Sequence, residues 1–498
     1  MNKLIITYKD WVHCSVQGLL PDDRTKVYKE LRVFNPIARY SSLYKLGRWD
    51  GNINFFSLTG QTYINLLPQI LNLIDKDKYE IEYKIQDSVQ KDIDLGEDID
   101  ENFMNPITWY KGHRFEGQPI KLEEHQVRCV NAMIKQHRGL LEAVTSAGKT
   151  LICGALCKKV KNFGKVVLIV DGKDLCHQTA DELIKFGSDV GIVGCGIRDF
   201  GHDVTVCTWQ TVNSIKKKTK ESLSPKELNL LVDGVKVLIF DEVHRLKGAE
   251  VAKVASEVFN NVPIRWGLTG TIPKAKIDLY NLIISIGPLL NVSVKAKELQ
   301  EKSFLSNCQI NCLRLLDDKK FFTWEDEKEY LASNENRLKF ISSLVANIVT
   351  NQKNTLVLID RIVTGEALEK NLQAMNIDAV FLNGSIKSKK RFEEYEKVKT
   401  SDNKCIIAID KIASTGLNIP RLFNVVFIDY GKAFTKTIQS VGRGLRRASD
   451  KDFVTIYDIS SLTKYSKKHF NDRIHFYEDA EYPYKILNIE NWNQNQNQ

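Results

Sequence analysis

The sequence predicts an α/β protein: two tandem parallel-sheet domains preceded by a small α/β module. Three observations carry this reading. From Gly139 onward, short apolar runs alternate with amphipathic helical segments, the pattern of a parallel sheet covered by helices. The alternation breaks at a charged segment, residues 316–331, and then restarts over the second half. The first hundred residues lack this rhythm. They end in an acidic stretch poor in aromatics, residues 87–103, which reads as a linker. The expected domains are therefore residues 1–100, 101–300 and 301–498.

Taken in order, residues 119–136 (PIKLEEHQVRCVNAMIKQ) read as an amphipathic helix. GLLEAV (139–144) reads as a strand feeding the loop TSAGKT and a helix. KVVLIVD (165–171) is a second strand, followed by the helix LCHQTADELIKF; DVTVCT (203–208) and VKVLIFDE (235–242) are further buried strands. The second half offers NTLVLID (354–360), DAVFLNG (378–384), KCIIAID (404–410), FNVVFIDY (423–430) and FVTIYDI (453–459), with helices between. The tail NWNQNQNQ is of low complexity and reads as disordered.

Of the 498 residues, 43% are hydrophobic and 27% charged, a globular composition. No apolar run reaches the roughly 20 residues of a membrane span, and the N-terminus shows no secretion signal. A cytoplasmic protein without a membrane partner is expected. Of the ten cysteines, Cys153/Cys157 and Cys308/Cys312 are four apart, but the C-x₂-C pairing usual for zinc is missing, so buried reduced thiols are expected. The net charge of +9 permits a polyanionic partner, and basic clusters stand at 214–220, 386–391 and 442–447.

The chemistry starts with the loop. A strand, then TSAGKT, then a helix is the setting in which backbone N–H groups at Thr145, Ser146, Ala147 and Gly148 cradle phosphate. Lys149 would reach the outer phosphates and Thr150 would hold Mg²⁺. The pattern wants glycine where Ala143 sits, a departure at the start of the turn rather than at the phosphate approach. Asp241, Glu242, Val243 and His244 end an apolar strand. Two adjacent carboxylates there suit a metal holder through water, Asp241, and a group that orients and deprotonates the attacking water, Glu242. GLTGT (267–271) is a weaker signal that by itself is more often a plain turn. In QSVGRGLRR, Gln439, Arg443 and Arg446 share a helix face. Arginines reaching a γ-phosphate are worth roughly 10³–10⁵ in rate in other nucleotide hydrolases.

The ordered set EEHQ (123–126), TSAGKT, DEVH, TGT (269–271), STGLNIP (414–420) and QSVGRGLRR resembles the superfamily-two DExH helicases over residues 115–460. The segment FNPIARY…KLGRWDGNINFF (34–56) is similar to an N-terminal module of the recombination helicases of T-even bacteriophages. The resemblance implies two RecA-like ATPase domains, with ATP and Mg²⁺ as cofactors. It implies that Gln126 reads adenine, and that His244, Thr269, Gly270, Thr271 and Gln439 couple hydrolysis to motion. Gly416 and Asn418 would approach the nucleotide, with Arg443 and Arg446 as arginine fingers. Gly172, Lys173, Thr208, Gln210, Asp360, Arg361, Asn383, Gly384, Ser414 and Thr415 would hold the nucleic-acid backbone.

The implied activity is ATP-dependent unwinding and branch migration of branched DNA in phage recombination, repair and replication. Its setting would be the cytoplasm of an infected bacterium, with a monomeric protein and other recombination proteins as further partners. An RNA or RNA–DNA hybrid helicase and a catalytically idle DNA clamp are the alternatives. The complete Lys149, Asp241, Glu242, Arg443 and Arg446 set argues against the clamp. In the N-terminal module, Arg39, Lys45 and Arg48 are candidates for duplex phosphates. Trp49 is either a stacking residue or the pin of its own turn.

Overall fold

The computed structural model describes residues 2–498 except 87–88, 90–92, 112, 114, 145–146, 223–225, 247–248, 302–306, 318, 385, 387–392, 396, 399–400, 410–420, 430, 432–452, 480–481, 491 and 493–498. The chain divides into two compact units. The first holds residues 1–143 and 147–294, and the second is centred on residues 295–498.

The first unit contains a mixed four-stranded sheet, ordered Gln61–Tyr63, His13–Gln17, Asn2–Tyr8, Tyr79–Ile85, in which only the last pair is parallel. An antiparallel ribbon, Arg32–Phe34 with Asn52–Asn54, stands beside it. The core of this module, including Leu4, Ile6, Val16 and Phe56, also takes in Tyr280 and Ile284 from the helix Lys276–Ser285 of the larger sheet domain. The rings of Phe55 and Tyr280 lie 5.0 Å apart, and the Asn65 amide donates to Ile283 O at 2.8 Å.

Of the acidic stretch expected to be a linker, residues 93–103 are packed instead. Leu95, Ile99 and Met104 are buried, and the Asn131 side chain brackets Ile99 through both its N–H (2.8 Å) and its carbonyl (3.0 Å). Lys159 donates to Glu97 O and Lys158 to Phe103 O, while Lys135 pairs with Asp98. A few apolar side chains among the carboxylates give the strip a dry face. The lysines of neighbouring helices hold its backbone.

The large sheet of the first unit has eight strands. Their order is Ile197–Arg198, Val190–Gly194, Val204–Thr208, Lys165–Val170, Val235–Phe240, Ile264–Thr269, Arg138–Ala143 and Leu289–Val294. All described pairs are parallel except the edge pair of Ile197–Arg198 with Val190–Gly194. Burial on both faces explains why the central strands read as unbroken apolar runs. The strands ending at Phe240, Thr269 and Ala143 are neighbours, so the three motifs that follow them emerge side by side at one sheet edge, where open α/β sheets place ligands.

The second unit is a parallel sheet of seven strands: Asp378–Leu382, Lys404–Ile409, Thr355–Ile359, Asn424–Ile428, Phe453–Ser461, Asn307–Leu315 and Tyr484–Ile489. All five strands expected from the sequence are present. The charged segment at which the alternation breaks contributes a helix to the second unit. Its helix Trp324–Ser333 buries Glu327 completely, and that carboxylate accepts from Thr463 Oγ1 (2.7 Å), Tyr465 N (3.0 Å) and Ser466 N (2.7 Å). It therefore caps the positive end of the helix Lys464–Asp479. Within the tail expected to be disordered, Trp492 is buried and donates to Leu316 O at 2.6 Å; residues 493–498 lie outside the described residues.

Candidate active site

Gly148 is the hinge between loop and helix. It adopts φ 76°, which glycine tolerates at little cost, and starts the helix Lys149–Val160. A Cβ there would come within 2.3 Å of Gln126 Nε2. Gln126 reaches this point because it closes a capping box on the helix Glu124–Gln136: its Oε1 accepts from Glu123 N at 3.0 Å. Its Nε2 donates to Ala147 O at 3.2 Å, and His125 Nε2 lies 3.1 Å from the same carbonyl. The His125 contact was not anticipated from the sequence; its adjacency to Gln126 in EEHQ was the only signal.

Ala143 is the last residue of its strand and fully buried, with no positive φ. An extended backbone does not need glycine, so the departure from the usual loop pattern costs the geometry nothing. Its carbonyl accepts from Lys149 Nζ at 3.3 Å. Lys149 is only 5% exposed, and its Nζ lies 2.8 Å from Glu242 Oε1. Thr150 follows, half-buried, in the first turn of the helix.

Asp241 and Glu242 are both buried at the end of Val235–Phe240. Asp241 Oδ1 accepts from Glu242 N at 2.9 Å. Glu242 sits at φ 50°, a left-handed conformation that side chains other than glycine rarely adopt and that gathers at functional sites. Burial pushes its carboxyl up, but the Lys149 charge and the His244 imidazole more than offset this and hold it far below the usual carboxylate range. Its Oε2 lies 3.3 Å from His244 Nδ1 and accepts no hydrogen bond among the described residues.

His244 Nδ1 is 2.7 Å from Thr269 Oγ1. Because the Thr269 hydroxyl donates to Thr271 O (2.8 Å), its oxygen accepts from His244, which places a proton on Nδ1. Thr271 N returns a bond to the same oxygen at 3.2 Å. Lys149, Glu242, His244, Thr269 and Thr271 thus form one chain of polar contacts across three neighbouring strand ends. Gly270, between the two threonines, is half-buried.

Two further pieces sit on the next strands of the sheet. Gly172, at φ 122°, precedes the helix Lys173–Lys185, and Lys173 is exposed. Thr208 is buried, with its hydroxyl donating to Thr211 Oγ1 at 2.9 Å, while Gln210 is exposed and donates to Asp171 Oδ1 at 3.3 Å. In the second unit Asp360 and Arg361 are exposed at the end of Thr355–Ile359, and Asn383 and Gly384 follow Asp378–Leu382. The strand Lys404–Ile409 lies between these two strands. Thr145, Ser146, Ser414, Thr415, Gly416, Asn418, Gln439, Arg443 and Arg446 lie outside the described residues.

Arg39 and Arg48 are exposed in the N-terminal module, as is Lys45. Trp49 is half-buried and its Nε1 donates to Asn52 O at 2.9 Å, so it pins its own turn. Cys153 and Cys157 are buried in the helix after the loop. Burial pushes the Cys157 thiol up to about 12 and the Cys153 thiol well above its ordinary value. Among the described residues no three His, Cys, Asp or Glu side chains converge on one point. A Mg²⁺ that arrives with a nucleotide asks for less: one carboxylate, a hydroxyl and phosphate oxygens, which Asp241 and Thr150 fit beside the buried, half-satisfied Glu242.

Residues 119–274 match the family "Type III restriction enzyme, res subunit", and residues 337–448 match "Helicase conserved C-terminal domain". The ATP-dependent DNA helicase UvsW of Enterobacteria phage T4 is 23% identical, over 97% of this chain and 99% of that protein. The DNA 3'-5' translocase XPB2 of Sulfurisphaera tokodaii is 27% identical over 51% of each chain. Among solved structures, the Type ISP restriction-modification enzyme LlaBIII bound to DNA shares the fold with a TM-score of 0.56 at 16% identity, covering 76% of this chain and 32% of that one. With two helicase domain models matched in order and a phage helicase matched from end to end, the chain is a superfamily-two helicase similar to UvsW.

Proposed function

We propose that this helicase hydrolyses ATP to unwind and branch-migrate branched DNA, such as forks, Holliday junctions and displacement or R-loops, in the cytoplasm of an infected bacterium. The observation that carries the hydrolysis is the buried Lys149–Glu242 pair beside Asp241 at adjoining strand ends. In this reading the loop N–H groups and Lys149 bind the outer phosphates, and Gln126 holds the loop and the adenine edge. Bound Mg²⁺, held by Thr150 and Asp241, would neutralise charge on the phosphates. Lys149 then shifts its charge from Glu242 to phosphate. Glu242, no longer held acidic by that ammonium, becomes a stronger base and takes a proton from the attacking water. His244 and Thr269–Thr271 relay the change to the neighbouring strand.

The preference for branched DNA rests on the likeness to UvsW, which runs through the N-terminal module as well as the two helicase domains. Gly172, Lys173, Thr208, Gln210, Asp360, Arg361, Asn383, Gly384, Ser414 and Thr415 would grip one strand by its phosphates, with strong salt dependence and little sequence preference. Arg39 and Arg48 would contact a second arm.

The test is ATP turnover stimulated by single-stranded DNA, duplex, forked DNA, a Holliday junction and RNA. Branched DNA should stimulate most. Stimulation by RNA alone would replace this reading with an RNA helicase, and no turnover with any of them would leave a DNA clamp. As a second arm, Arg446→Ala should lower kcat by about 10³ while ATP affinity holds; weaker ATP binding with kcat intact would remove the arginine-finger role of Arg443 and Arg446.

A further inference from the structure

The ribbon Arg32–Phe34/Asn52–Asn54 carries an excursion, residues 35–51, that is packed inside and bare outside. Inside, Ala38 is buried and the Phe34 and Tyr44 rings meet edge to face at 6.0 Å. Gly51, at φ 79°, lies so close that a Cβ would come within 2.6 Å of the Phe34 ring. Asn35 N donates to Gly51 O at 2.8 Å and Arg48 N to Leu43 O at 2.9 Å. The excursion is therefore a built knob rather than a loose loop.

Outside, Ile37 is 71% exposed, Tyr40 83%, Leu43 51% and Leu46 66%. They recur every third residue. Ile37 and Tyr40 share the 3₁₀ helix Pro36–Tyr40, where side chains three apart eclipse. Single exposed apolar side chains are ordinary, but four within ten residues mark a contact surface. The exposed cations Arg39, Lys45 and Arg48 are interleaved with them, and no Asp or Glu occurs from residue 33 to 49. The surface is complementary to a partner that presents both a dense array of negative charge and flat apolar faces. DNA with an open base step has both.

We infer that this knob is a wedge for the branch point of DNA: its cations hold the phosphates of a duplex arm while Tyr40 and Ile37 lean on the base pair at the fork and unstack it. Apolar side chains inserted at a base step unstack it, and phosphate contacts alongside offset the cost. The assignment rests on the branched-DNA reading and extends it. Tyr40, not the tethered Trp49, is the stacking aromatic.

The experiment uses the full chain and two surface variants. Ile37→Ser/Tyr40→Ser/Leu43→Ser/Leu46→Ser removes the apolar ridge and leaves the charges. Arg39→Glu/Arg48→Glu reverses charges and leaves the ridge. Fork affinity over a salt series, fork unwinding, 2-aminopurine fluorescence at the branch and single-strand-stimulated ATP turnover are measured for each. The ridge variant should keep turnover and fork affinity within about twofold but lose about tenfold or more in unwinding, with the 2-aminopurine rise abolished. The charge variant should lose about tenfold in fork affinity with a salt slope shallower by about two. If the ridge variant unwinds and unstacks like the parent, the wedge is wrong while the branched-DNA reading stands. If neither variant changes anything at a fork, DNA contact by this module falls as well. If the ridge variant unwinds normally and instead abolishes self-association, the knob binds a second copy and the proposal is overturned.

Discussion

Each unit of the chain buries an ion pair, and the two pairs are built in opposite ways. In the second unit, Arg473 Nε donates to Asp458 Oδ2 at 2.8 Å and Nη2 to Oδ1 at 2.9 Å. Tyr477 OH adds a third bond to Oδ2 at 2.9 Å, and Ser460 contacts both partners. Burial alone would lower the Arg473 pKa, but Asp458 reverses the effect and raises it. In the first unit, Lys149 meets Glu242 through one nitrogen and one oxygen, and among the described residues Glu242 Oε2 has only the longer 3.3 Å approach of His244 Nδ1. A planar fork saturated by its partners is a permanent fixture. A point charge on a half-satisfied carboxylate can exchange partners when phosphate arrives.

The sharpest way to break this contrast is Lys149→Ala. Nucleic-acid-stimulated ATP turnover should fall by about 10³ or more while the protein remains folded, read by steady-state kinetics beside a melting curve. Turnover close to the parent would end the assignment of the loop. Next comes Glu242→Gln, for which turnover should drop by about 10²–10⁴ while ATP still binds, measured by equilibrium binding and single-turnover hydrolysis. Loss of binding in step with turnover would make Glu242 a prop for Lys149 and nothing more.

The second unit's pair should behave the other way. Asp458→Ala leaves Arg473 buried and alone, and should cost about 3–5 kcal/mol in a denaturant titration of the full chain. A variant as stable as the parent would show that the Asp458–Arg473 pair is not a fixture of the fold. The smallest effect concerns pH. The folded Glu242 pKa is depressed, so the pair's stabilisation is fully present above the unfolded value of about 4.3 and is lost as pH falls toward the lower folded value. The stability difference between the parent and Glu242→Gln should be flat from pH 7 to 5 and shrink below about pH 4. A difference that already shrinks between pH 7 and 5 would mean Glu242 is not held acidic.

The N-terminal module sharpens a related point. Tyr280 and Ile284 lie in its core, so deleting residues 1–100 would uncover them and lower the stability of the first unit. Point changes on the exposed knob separate branch recognition from bracing; deletion does not.

The sequence by itself determined most of the frame. Apolar runs of six or so residues, rich in valine and isoleucine and alternating with helical segments, read as strands buried on both faces, because they are too short for a buried helix and lack the alternation of a half-exposed strand. The residue order TSAGKT, DEVH, TGT was also legible, since the residue types that bind phosphate and metal are few. Tertiary structure decided the rest. Only sheet order places Ala143, Phe240 and Thr269 at adjacent strand ends, because hydrogen-bond pairing joins Ile264–Thr269 both to Val235–Phe240 and to Arg138–Ala143, the latter more than a hundred residues earlier. Glu327 and the acidic strip 93–103 read as solvated charge until their partners are seen: a helix N-terminus at Tyr465 and Ser466 for one, the lysines at 135, 158 and 159 for the other. Trp492 looked like part of a polar tail because its pocket is formed by Leu316 and Phe340 from far along the chain. Composition reports which residues prefer water on average, but burial is settled by the one contact each side chain finally makes, and that contact is long-range.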